Sequence, residues 1–207
     1  MPDHTQGSLK PVRRLVCSGS SGGGKTTLAQ ELAPFLNLTT ITHSRPTAAA
    51  RQMGYQSARD IPPDQRGIFQ WLGLIEQISA ERALGDFIAD RGVMDFAAYA
   101  RYELRKQEHT MGAQGIGRMA WYEEIGRFTA WSYDAIILVP PNSNVIEDNG
   151  IRYTHGVQEV HDILVEIIKE WGLWHRVIEL KTDTPQERAR EVIDTFHCVS
   201  NKFYIKE

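Results

Sequence analysis

The sequence predicts an α/β fold, a parallel sheet of about five strands with helices on both faces and a lid loop. Two observations lead to this fold class. Short apolar segments that suit strands alternate with amphipathic segments that suit helices along the 207 residues, which is the pattern of a parallel sheet. A glycine-rich turn also joins the first strand to the first helix. Since a chain of this length can enclose one hydrophobic core, we expect a single domain over 1–207, with residues 1–10 flexible.

The strands are predicted where short runs of apolar and β-branched residues are bounded by turns or polar residues. The first run leads directly into the glycine-rich turn. The fourth run stops at Pro140, and its length suits a buried strand rather than a membrane span. The five predicted strands are 13–17, 38–42, 87–89, 135–139 and 177–180.

Two helices near the end of the chain have both an apolar stripe and a clear end signal. The segment 157–171 has apolar residues at spacings of three and four and stops at Gly172. After the fifth strand, a helix begins at Pro185, with Thr184 as its N-cap and Glu187 completing a capping box. We expect both stripes to pack against the sheet.

The remaining segments are predicted as two helices and two irregular stretches. The segment 26–33 is helical until Pro34 limits it, and 68–78 forms an apolar helix between the second and third strands. The segments 107–117 and 142–156 lack periodicity and contain turn residues. Because long irregular loops in compact domains are often functional, we expect 142–156 to be the lid loop.

The glycine-rich turn carries the strongest motif. Gly19-Ser20-Ser21-Gly22-Gly23-Gly24-Lys25-Thr26 matches the phosphate-loop pattern G-x-x-x-x-G-K-[ST] and lies between a strand and a helix, as the motif requires. Its glycines let backbone N–H groups close around a phosphate, and the helix points its positive end at the same anion. We expect Gly19 to Thr27 to bind ATP, with Lys25 on the β- and γ-phosphates and the Thr26 hydroxyl on Mg²⁺. This motif assigns the sheet to the P-loop NTPase fold.

Two classes of P-loop protein lack their signatures in this sequence. The guanine-binding N-K-x-D pattern is absent, since Asn201-Lys202 is followed by Phe203 and Tyr204. No apolar strand ends in the Asp-Glu pair with which hydrolytic ATPases hold Mg²⁺ and polarise water, and the fourth strand ends in two prolines. These absences favour a kinase.

An acidic and a basic residue, Asp90 and Arg91, directly follow the third strand. In open α/β sheets, ligands bind outside the carboxyl ends of the strands. Asp90 is our candidate for the general base that accepts the proton of an acceptor hydroxyl, or for a Mg²⁺ ligand, and the sequence leaves both roles open. The planar guanidinium of Arg91 suits a phosphate or the acceptor.

Four motifs give the chain a resemblance to the P-loop kinases of the nucleoside and nucleotide kinase group, which includes thymidylate kinases and the ribosylnicotinamide kinase domain. They are the loop 19–26, Ser44-Arg45-Pro46, Asp90-Arg91-Gly92 and Asn149-Gly150-Ile151-Arg152. The resemblance implies that Asp90 and Arg91 supply the base and an anion-binding arginine, that Arg45 contacts the acceptor, and that Arg152 is a catalytic lid arginine. The chain departs from the group at Asn149, where related sequences often have Asp, and in offering one lid arginine.

Residues for the acceptor pocket are expected between the second and third strands. Arg45 and Arg51 follow the second strand, and Gln70 and Trp71 lie near the start of the 68–78 helix. The chain also looks like the viral DNA kinases that phosphorylate 5-hydroxymethyluracil within DNA, which belong to the broad thymidylate-kinase group. That likeness makes 5-hydroxymethyl-deoxyuridine in DNA the favoured acceptor.

Three functions therefore remain open. The first is a phosphotransferase that uses ATP and Mg²⁺ on a hydroxyl of a nucleoside-type acceptor, free or within DNA. The second is a kinase of free nucleosides, nucleotides or ribosylnicotinamide. The third is an ATP-hydrolysing nucleotide switch with a protein partner, against which the Asp90-Arg91 pair argues.

Composition and charge indicate the surroundings of the protein. A net charge of -3 excludes a strongly basic protein that binds nucleic acid by charge alone, although residues 1–60 hold seven basic and three acidic side chains. No apolar run approaches the roughly 20 residues that cross a bilayer. The two cysteines fit a reducing compartment. We expect a cytoplasmic protein, in the host cytoplasm if viral, without a membrane partner.

Overall fold

Five parallel strands form one sheet in the order β2-β3-β1-β4-β5. The structure is a computed structural model that describes residues 12–42, 45–106, 113–141 and 156–199. Leu15 of the central strand lies opposite Ile88 on one side and Ala135 on the other. The strands are β1 (Arg14–Ser18), β2 (Thr39–Ile41), β3 (Phe87–Ala89), β4 (Ala135–Leu138) and β5 (Val177–Glu179).

Helices connect the strands and cover both faces of the sheet. They are α1 (Lys25–Leu36), α2 (Arg45–Gln52), α3 (Arg66–Leu84), α4 (Val93–Lys106), α5 (Ala113–Ala130), α6 (Val157–Glu170) and α7 (Pro185–Val199). Single 3-10 turns lie at Ala58–Asp60, Pro63–Gln65 and Trp174–Arg176. No helix within these described ranges is long and apolar enough to span a lipid bilayer.

Alternate residues of each strand contribute to two separate cores, because successive side chains of a strand point to opposite faces. Val16 and Ile136 are buried with residues of α3, α4 and α6. Leu15 and Ile137 are buried on the other face with residues of α1 and α7. The predicted α/β fold, a five-stranded parallel sheet with helices on both faces, is therefore confirmed.

The predicted strands are confirmed with small differences at their ends, but the bounds of three helices were wrong. The helix predicted over 68–78 extends from Arg66 to Leu84 as α3. Pro34 lies inside α1, which continues to Leu36 and ends where Asn37 adopts a left-handed conformation with φ 52. A proline in the last turn removes one backbone hydrogen bond and leaves few residues beyond it to disturb. The residues 113–117, expected to be irregular, form the start of α5. Packing of the later turns, where Tyr122 is buried, outweighs the low helix propensity of these glycines.

Nearly all of the predicted lid loop and the start of the chain lie outside the described residues. The lid residues concerned are 142–155, which include Arg152, and the chain start is 1–11. The lid loop and the flexible first ten residues therefore stay predictions.

Candidate active site

The P-loop, residues 19–26, connects β1 to α1 in a conformation that requires glycine at two positions. A Cβ atom at Gly19 would lie 2.4 Å from the Val139 carbonyl oxygen, so the loop approaches β4 too closely for a larger residue. Gly24, directly before α1, has a φ of 78, a left-handed conformation that glycine adopts without strain. The loop of the predicted motif thus leads directly into the first turn of α1, as a phosphate-binding loop requires.

Lys25 folds back over the P-loop. Its ammonium donates a hydrogen bond of 2.5 Å to the Ser20 carbonyl oxygen, and its side chain is buried. Burial and the nearby Arg91 guanidinium together lower the pKa of Lys25 to about 8, although Asp95 and Asp90 oppose the shift. The ammonium is therefore held inside the site, where a phosphate would restore its charged form.

Thr26 and Asp90 are brought together across the site. The Thr26 hydroxyl donates a hydrogen bond of 2.7 Å to Oδ2 of Asp90. Because β1 and β3 are neighbours in the sheet, the P-loop and the residue after β3 meet at the same edge. The backbone N–H of Asp90 donates to the Ile41 carbonyl at 3.1 Å, which fixes this residue against β2 as well.

Arg91 packs on an aromatic ring that itself contacts the P-loop. The guanidinium carbon of Arg91 lies 5.6 Å from the centre of the Tyr99 ring. The Tyr99 hydroxyl accepts a hydrogen bond of 3.0 Å from the backbone N–H of Ser21. Burial lowers the pKa of Arg91, but Tyr99, Asp95 and Asp90 outweigh it and leave the pKa raised. Arg91 therefore stays charged beside the P-loop.

Asp95, on the first turn of α4, is a site residue that sequence reasoning missed. Its carboxylate accepts hydrogen bonds from the Ser18 hydroxyl, from the Gly19 N–H at 2.9 Å and from the Gly92 N–H at 2.9 Å. It is 1% exposed, and burial raises its pKa, while Lys25 and Arg91 oppose that effect. One carboxylate thus ties the start of the P-loop to the turn that carries Asp90. An acid in the first turn after Asp90-Arg91-Gly92 was the available signal.

Arg188 of α7 was also missed. Its Nη1 donates a hydrogen bond of 2.5 Å to the Gly23 carbonyl oxygen, and its Nε donates one of 2.8 Å to the Thr182 carbonyl oxygen. The side chain is buried, and its Nη2 has no partner among the described residues. Burial lowers the pKa of this guanidinium. Arg188 connects the P-loop to the loop that joins β5 and α7.

The residues expected to line the acceptor pocket lie on α2 and α3. Arg45 begins α2, Arg51 is exposed in its last turn, and Gln70 is buried in α3. Trp71 packs against Tyr122, with ring centres 5.6 Å apart, and it borders the core under α3 and α4. Their role in acceptor binding stays a prediction.

The oxygen atoms of Thr26 and Asp90 suit a Mg²⁺ ion. Within the described part of the chain, no group of three or more His, Cys, Asp or Glu could hold a metal. Mg²⁺ commonly keeps several waters and is held by one or two protein oxygens together with substrate phosphates. The site therefore fits a Mg²⁺ that arrives with ATP rather than one held by protein ligands alone.

A family model matches most of the chain. The model is described as an AAA domain, AAA_28, and it matches residues 14–188. No curated protein sequence matches the chain.

Solved structures share the fold at low sequence identity. The NadR protein in complex with NR has a TM-score of 0.68 and 19% identity, over 92% of this chain and 52% of the NadR chain. NadR with NAD and AMP-PNP gives a TM-score of 0.66 and 18% identity, over 95% of this chain and 52% of the other. This chain thus spans about half the length of NadR. At these identities the likeness establishes the fold.

A second neighbour matches over nearly its whole length. It is the deoxyadenosine kinase from M. mycoides with bound dCTP, with a TM-score of 0.65 and 11% identity, over 89% of this chain and 99% of that chain. The fold is therefore one that this deoxyadenosine kinase and NadR also have.

Proposed function

This chain belongs to the AAA domain family AAA_28, and from that premise we propose that it is an ATP-dependent kinase of a nucleoside-type acceptor. The observation that carries the proposal is the 2.7 Å hydrogen bond between Thr26 and Asp90. It joins the hydroxyl that suits Mg²⁺ in a P-loop to a carboxylate at the carboxyl end of a neighbouring strand. A nucleotide switch can hold Mg²⁺ with the same two groups, so a phosphorylated acceptor is the result that distinguishes a kinase from a switch.

In the proposed reaction, the P-loop and Thr27 bind the phosphates of ATP, and the Lys25 ammonium neutralises charge on the β- and γ-phosphates. The acceptor hydroxyl gives its proton to Asp90, and its oxygen attacks the γ-phosphorus. The bond from that phosphorus to the bridging oxygen breaks, and ADP leaves with the electron pair. Mg²⁺, held by Thr26 and Asp90, would neutralise phosphate charge when bound with ATP.

The other proposed roles concern the acceptor and the leaving charge. We propose that Arg91, which packs on the Tyr99 ring, binds a phosphate or the acceptor. Arg152 is the proposed lid cation. Arg45, Arg51, Gln70 and Trp71 are the proposed acceptor-pocket residues.

Free nucleosides are the acceptors that the comparisons support best. Deoxyadenosine kinase, whose fold this chain shares, is named for a nucleoside, and NadR is described in complex with NR, NAD and AMP-PNP. A hydroxymethylated base within DNA has no counterpart among these neighbours. We therefore place the free nucleoside ahead of the DNA-embedded acceptor.

The test is a phosphorylation assay with ATP and Mg²⁺ over a panel of nucleosides, nucleoside monophosphates, ribosylnicotinamide and hydroxymethyluracil-containing DNA. Mass spectrometry detects the added phosphate. We expect a phosphorylated free nucleoside, and Asp90→Asn should lower kcat by about 10² to 10⁴-fold, because it removes the general base. Asp86→Asn is the matched control, since Asp86 is an exposed aspartate just before the same strand.

Two results would contradict the proposal in different ways. A product formed only with DNA would retain the kinase and replace the acceptor. ADP release without any phosphorylated acceptor, unchanged by Asp90→Asn, would replace the kinase by a nucleotide switch.

A further inference from the structure

A small pocket lies at the end of the sheet opposite to the P-loop. Its volume is about 210 Å³, and side chains from the ends of α3 and α5 and from the start of β1 line it. Helices α3 and α5 lead into β3 and β4, so their last turns lie at the amino ends of the parallel strands. The P-loop instead follows the carboxyl end of β1. The pocket is therefore separate from the nucleotide site.

Two arginines give this pocket a positive charge. Arg14, half-buried at the start of β1, donates from Nε to the Gly85 carbonyl at 3.0 Å, and its guanidinium carbon lies 5.8 Å from the centre of the Phe87 ring. These contacts fix the side chain and leave its two terminal nitrogens without a hydrogen-bond partner among the described residues. Arg82 also lines the pocket and is exposed. A fixed pair of guanidinium nitrogens suits a carboxylate, which it can bind with two parallel hydrogen bonds.

Glu81 brings a carboxyl group to the same pocket. Its Oε1 accepts hydrogen bonds from Gln77 and Tyr133, each at 2.8 Å. Its Oε2 has no hydrogen-bond partner in the part of the chain that the structure describes, and this atom is not enclosed. Since Glu81 is 3% exposed and lines the pocket, Oε2 faces it. A protonated Glu81 would donate from Oε2 to a ligand carboxylate, whereas an ionised Glu81 would repel one.

The groups around Glu81 determine the charge that the pocket presents. Burial raises the pKa of Glu81 to about 7, although Arg14 opposes this shift. Tyr133 stays neutral, because burial raises its pKa well above the usual value. Arg82 follows Glu81 on α3 and adds a positive charge. At neutral pH the pocket thus has two cations and a carboxyl that readily takes up a proton, and this combination favours an anion.

The other side chains of the pocket indicate the size and class of that anion. Ile78 and Phe128 supply apolar surface. The Thr129 and Ser132 hydroxyls donate to the carbonyls of Ile125 and Thr129, at 3.0 and 2.7 Å, and so add no donor for an anion. An apolar cavity of about 150 Å³ holds benzene, so a pocket of about 210 Å³ has room for one ring and a carboxylate. Inorganic phosphate would leave the apolar side chains uncovered.

We propose that this pocket binds a small organic carboxylate with one apolar ring. Its carboxylate would lie between the Arg14 guanidinium and Oε2 of Glu81, and its ring would lie against Ile78 and Phe128. The proposal goes beyond the kinase activity, does not depend on it and requires no nucleotide.

Calorimetry with benzoate as the probe tests this site. We expect a Kd on the order of 1 mM, which is typical of so small a ligand, and no change in that Kd when AMP-PNP and Mg²⁺ saturate the P-loop. Arg14→Gln should raise the Kd about tenfold, because it removes charged hydrogen bonds. Arg13→Gln is the matched control, since Arg13 is exposed and pairs with Asp86. Arg82→Gln should raise the Kd about threefold and serves if Arg14→Gln does not fold.

The pH dependence of benzoate binding tests the role of Glu81. Binding needs the protonated carboxyl, so affinity is lost as the pH rises through 7. We expect the Kd to rise about tenfold from pH 6 to pH 8 in the wild type and to stay constant in Glu81→Gln, whose amide does not titrate. A wild-type Kd that is equal at both pH values would contradict the placement of the carboxylate against Glu81.

Four further outcomes would overturn the proposal. The first is the absence of saturable benzoate binding at about tenfold the expected Kd. The second is binding that AMP-PNP abolishes, which would assign benzoate to the nucleotide site. The third is a Kd unchanged in both Arg14→Gln and Arg82→Gln. The fourth is equal or tighter binding of neutral benzamide or of inorganic phosphate, either of which would replace the ligand class. Circular dichroism of each variant separates loss of binding from loss of the fold.

Discussion

Four charged side chains, two of each sign, share the space between the P-loop and the turn after β3. Lys25 and Arg91 are the cations, and Asp90 and Asp95 are the acids. Because these four charges nearly cancel, the site has no large positive excess to neutralise a triphosphate, and binding one leaves the site negatively charged. An accompanying Mg²⁺ then has a clear electrostatic role. Lys25 is the member whose protonation responds to pH near neutrality.

The affinity for ATP should fall as the pH rises above 8. The pKa of Lys25 in the ligand-free protein is lowered to about 8, so the ammonium loses its proton above that pH and with it the attraction to phosphate. We expect Kd to rise about tenfold per pH unit there, measured by calorimetry between pH 7.5 and 9.5, where the triphosphate is already ionised. Lys25→Arg should give a flat profile, since a guanidinium stays protonated. A flat wild-type profile would contradict the assignment.

The sequence predicted the site residues whose motif is local and missed those that depend on packing. Lys25 and Thr26 belong to one continuous motif, and Asp90 follows its strand directly. Asp95 contacts Ser18 and Gly19, more than 75 residues earlier in the chain, and that contact depends on the placement of α4 against β1. The acid in the first turn after Asp90-Arg91-Gly92 is a local signal for a candidate residue, but it does not predict this contact with Ser18 and Gly19.

At the scale of elements, α7 holds the P-loop through Arg188. The carboxylate of Glu191, on the same helix, accepts hydrogen bonds from the Thr182 N–H and hydroxyl. Helix α7 thus holds the loop between β5 and α7 through Glu191. Arg188 hydrogen-bonds both to this loop, at Thr182, and to the P-loop, at Gly23.

Replacing Arg188 should weaken nucleotide binding without changing the chemistry of transfer. Arg188→Gln removes the donor to the Gly23 carbonyl, so the P-loop loses its contact with α7. We expect ATP Kd to rise about tenfold and amide hydrogen exchange at Gly23 and Gly24 to accelerate, because a charged hydrogen bond contributes about 1.5–3 kcal/mol. Arg190→Gln is the control, as Arg190 is exposed on the same helix. If amide exchange and ATP Kd are unchanged in Arg188→Gln, Arg188 does not support nucleotide binding.

Element boundaries were less predictable than the elements themselves. The sequence placed a helix end at Pro34, yet α1 continues to Leu36, because a proline near a helix end breaks little that follows. It also assigned 113–117 to a loop, whereas tertiary packing of α5 extends the helix to Ala113. Both differences arise where local signals compete with contacts made elsewhere in the fold.

At the scale of the whole molecule, the order of the strands brings the site residues together. Alternating strands and helices predicted a parallel sheet but not which strands are neighbours. The order β2-β3-β1-β4-β5 places β3 beside β1, so Asp90 reaches Thr26. The packing of α3 and α4 beneath that turn then determines how firmly Asp90 is held.

A buried network under this turn should make the stability of the whole molecule depend on pH. Oε1 of Glu81 accepts hydrogen bonds from Gln77 and Tyr133, each at 2.8 Å. Gln77 also donates to the Arg91 carbonyl at 2.9 Å, and the Tyr133 hydroxyl accepts from the Val93 N–H at 3.0 Å. Glu81 is 3% exposed, and its burial raises its pKa from 4.5 to about 7.

The sign of the effect follows from the raised pKa of Glu81. The folded protein favours the protonated carboxyl, so the contribution of this group to stability is fully present below pH 4.5 and is lost as the pH rises through 7. With about 1.4 kcal/mol per pKa unit, the free energy of unfolding should fall on the order of 3 kcal/mol across this window. Urea unfolding at pH 5, 6, 7 and 8 measures it. Glu81→Gln should flatten the curve, since a neutral amide does not titrate. Glu159→Gln, at an exposed position of α6, should leave the curve as in the wild type. Parallel curves for the wild type and Glu81→Gln would show that Glu81 is ionised in the folded protein throughout, and that the turn carrying Asp90 and Arg91 rests on a charged network rather than a neutral one.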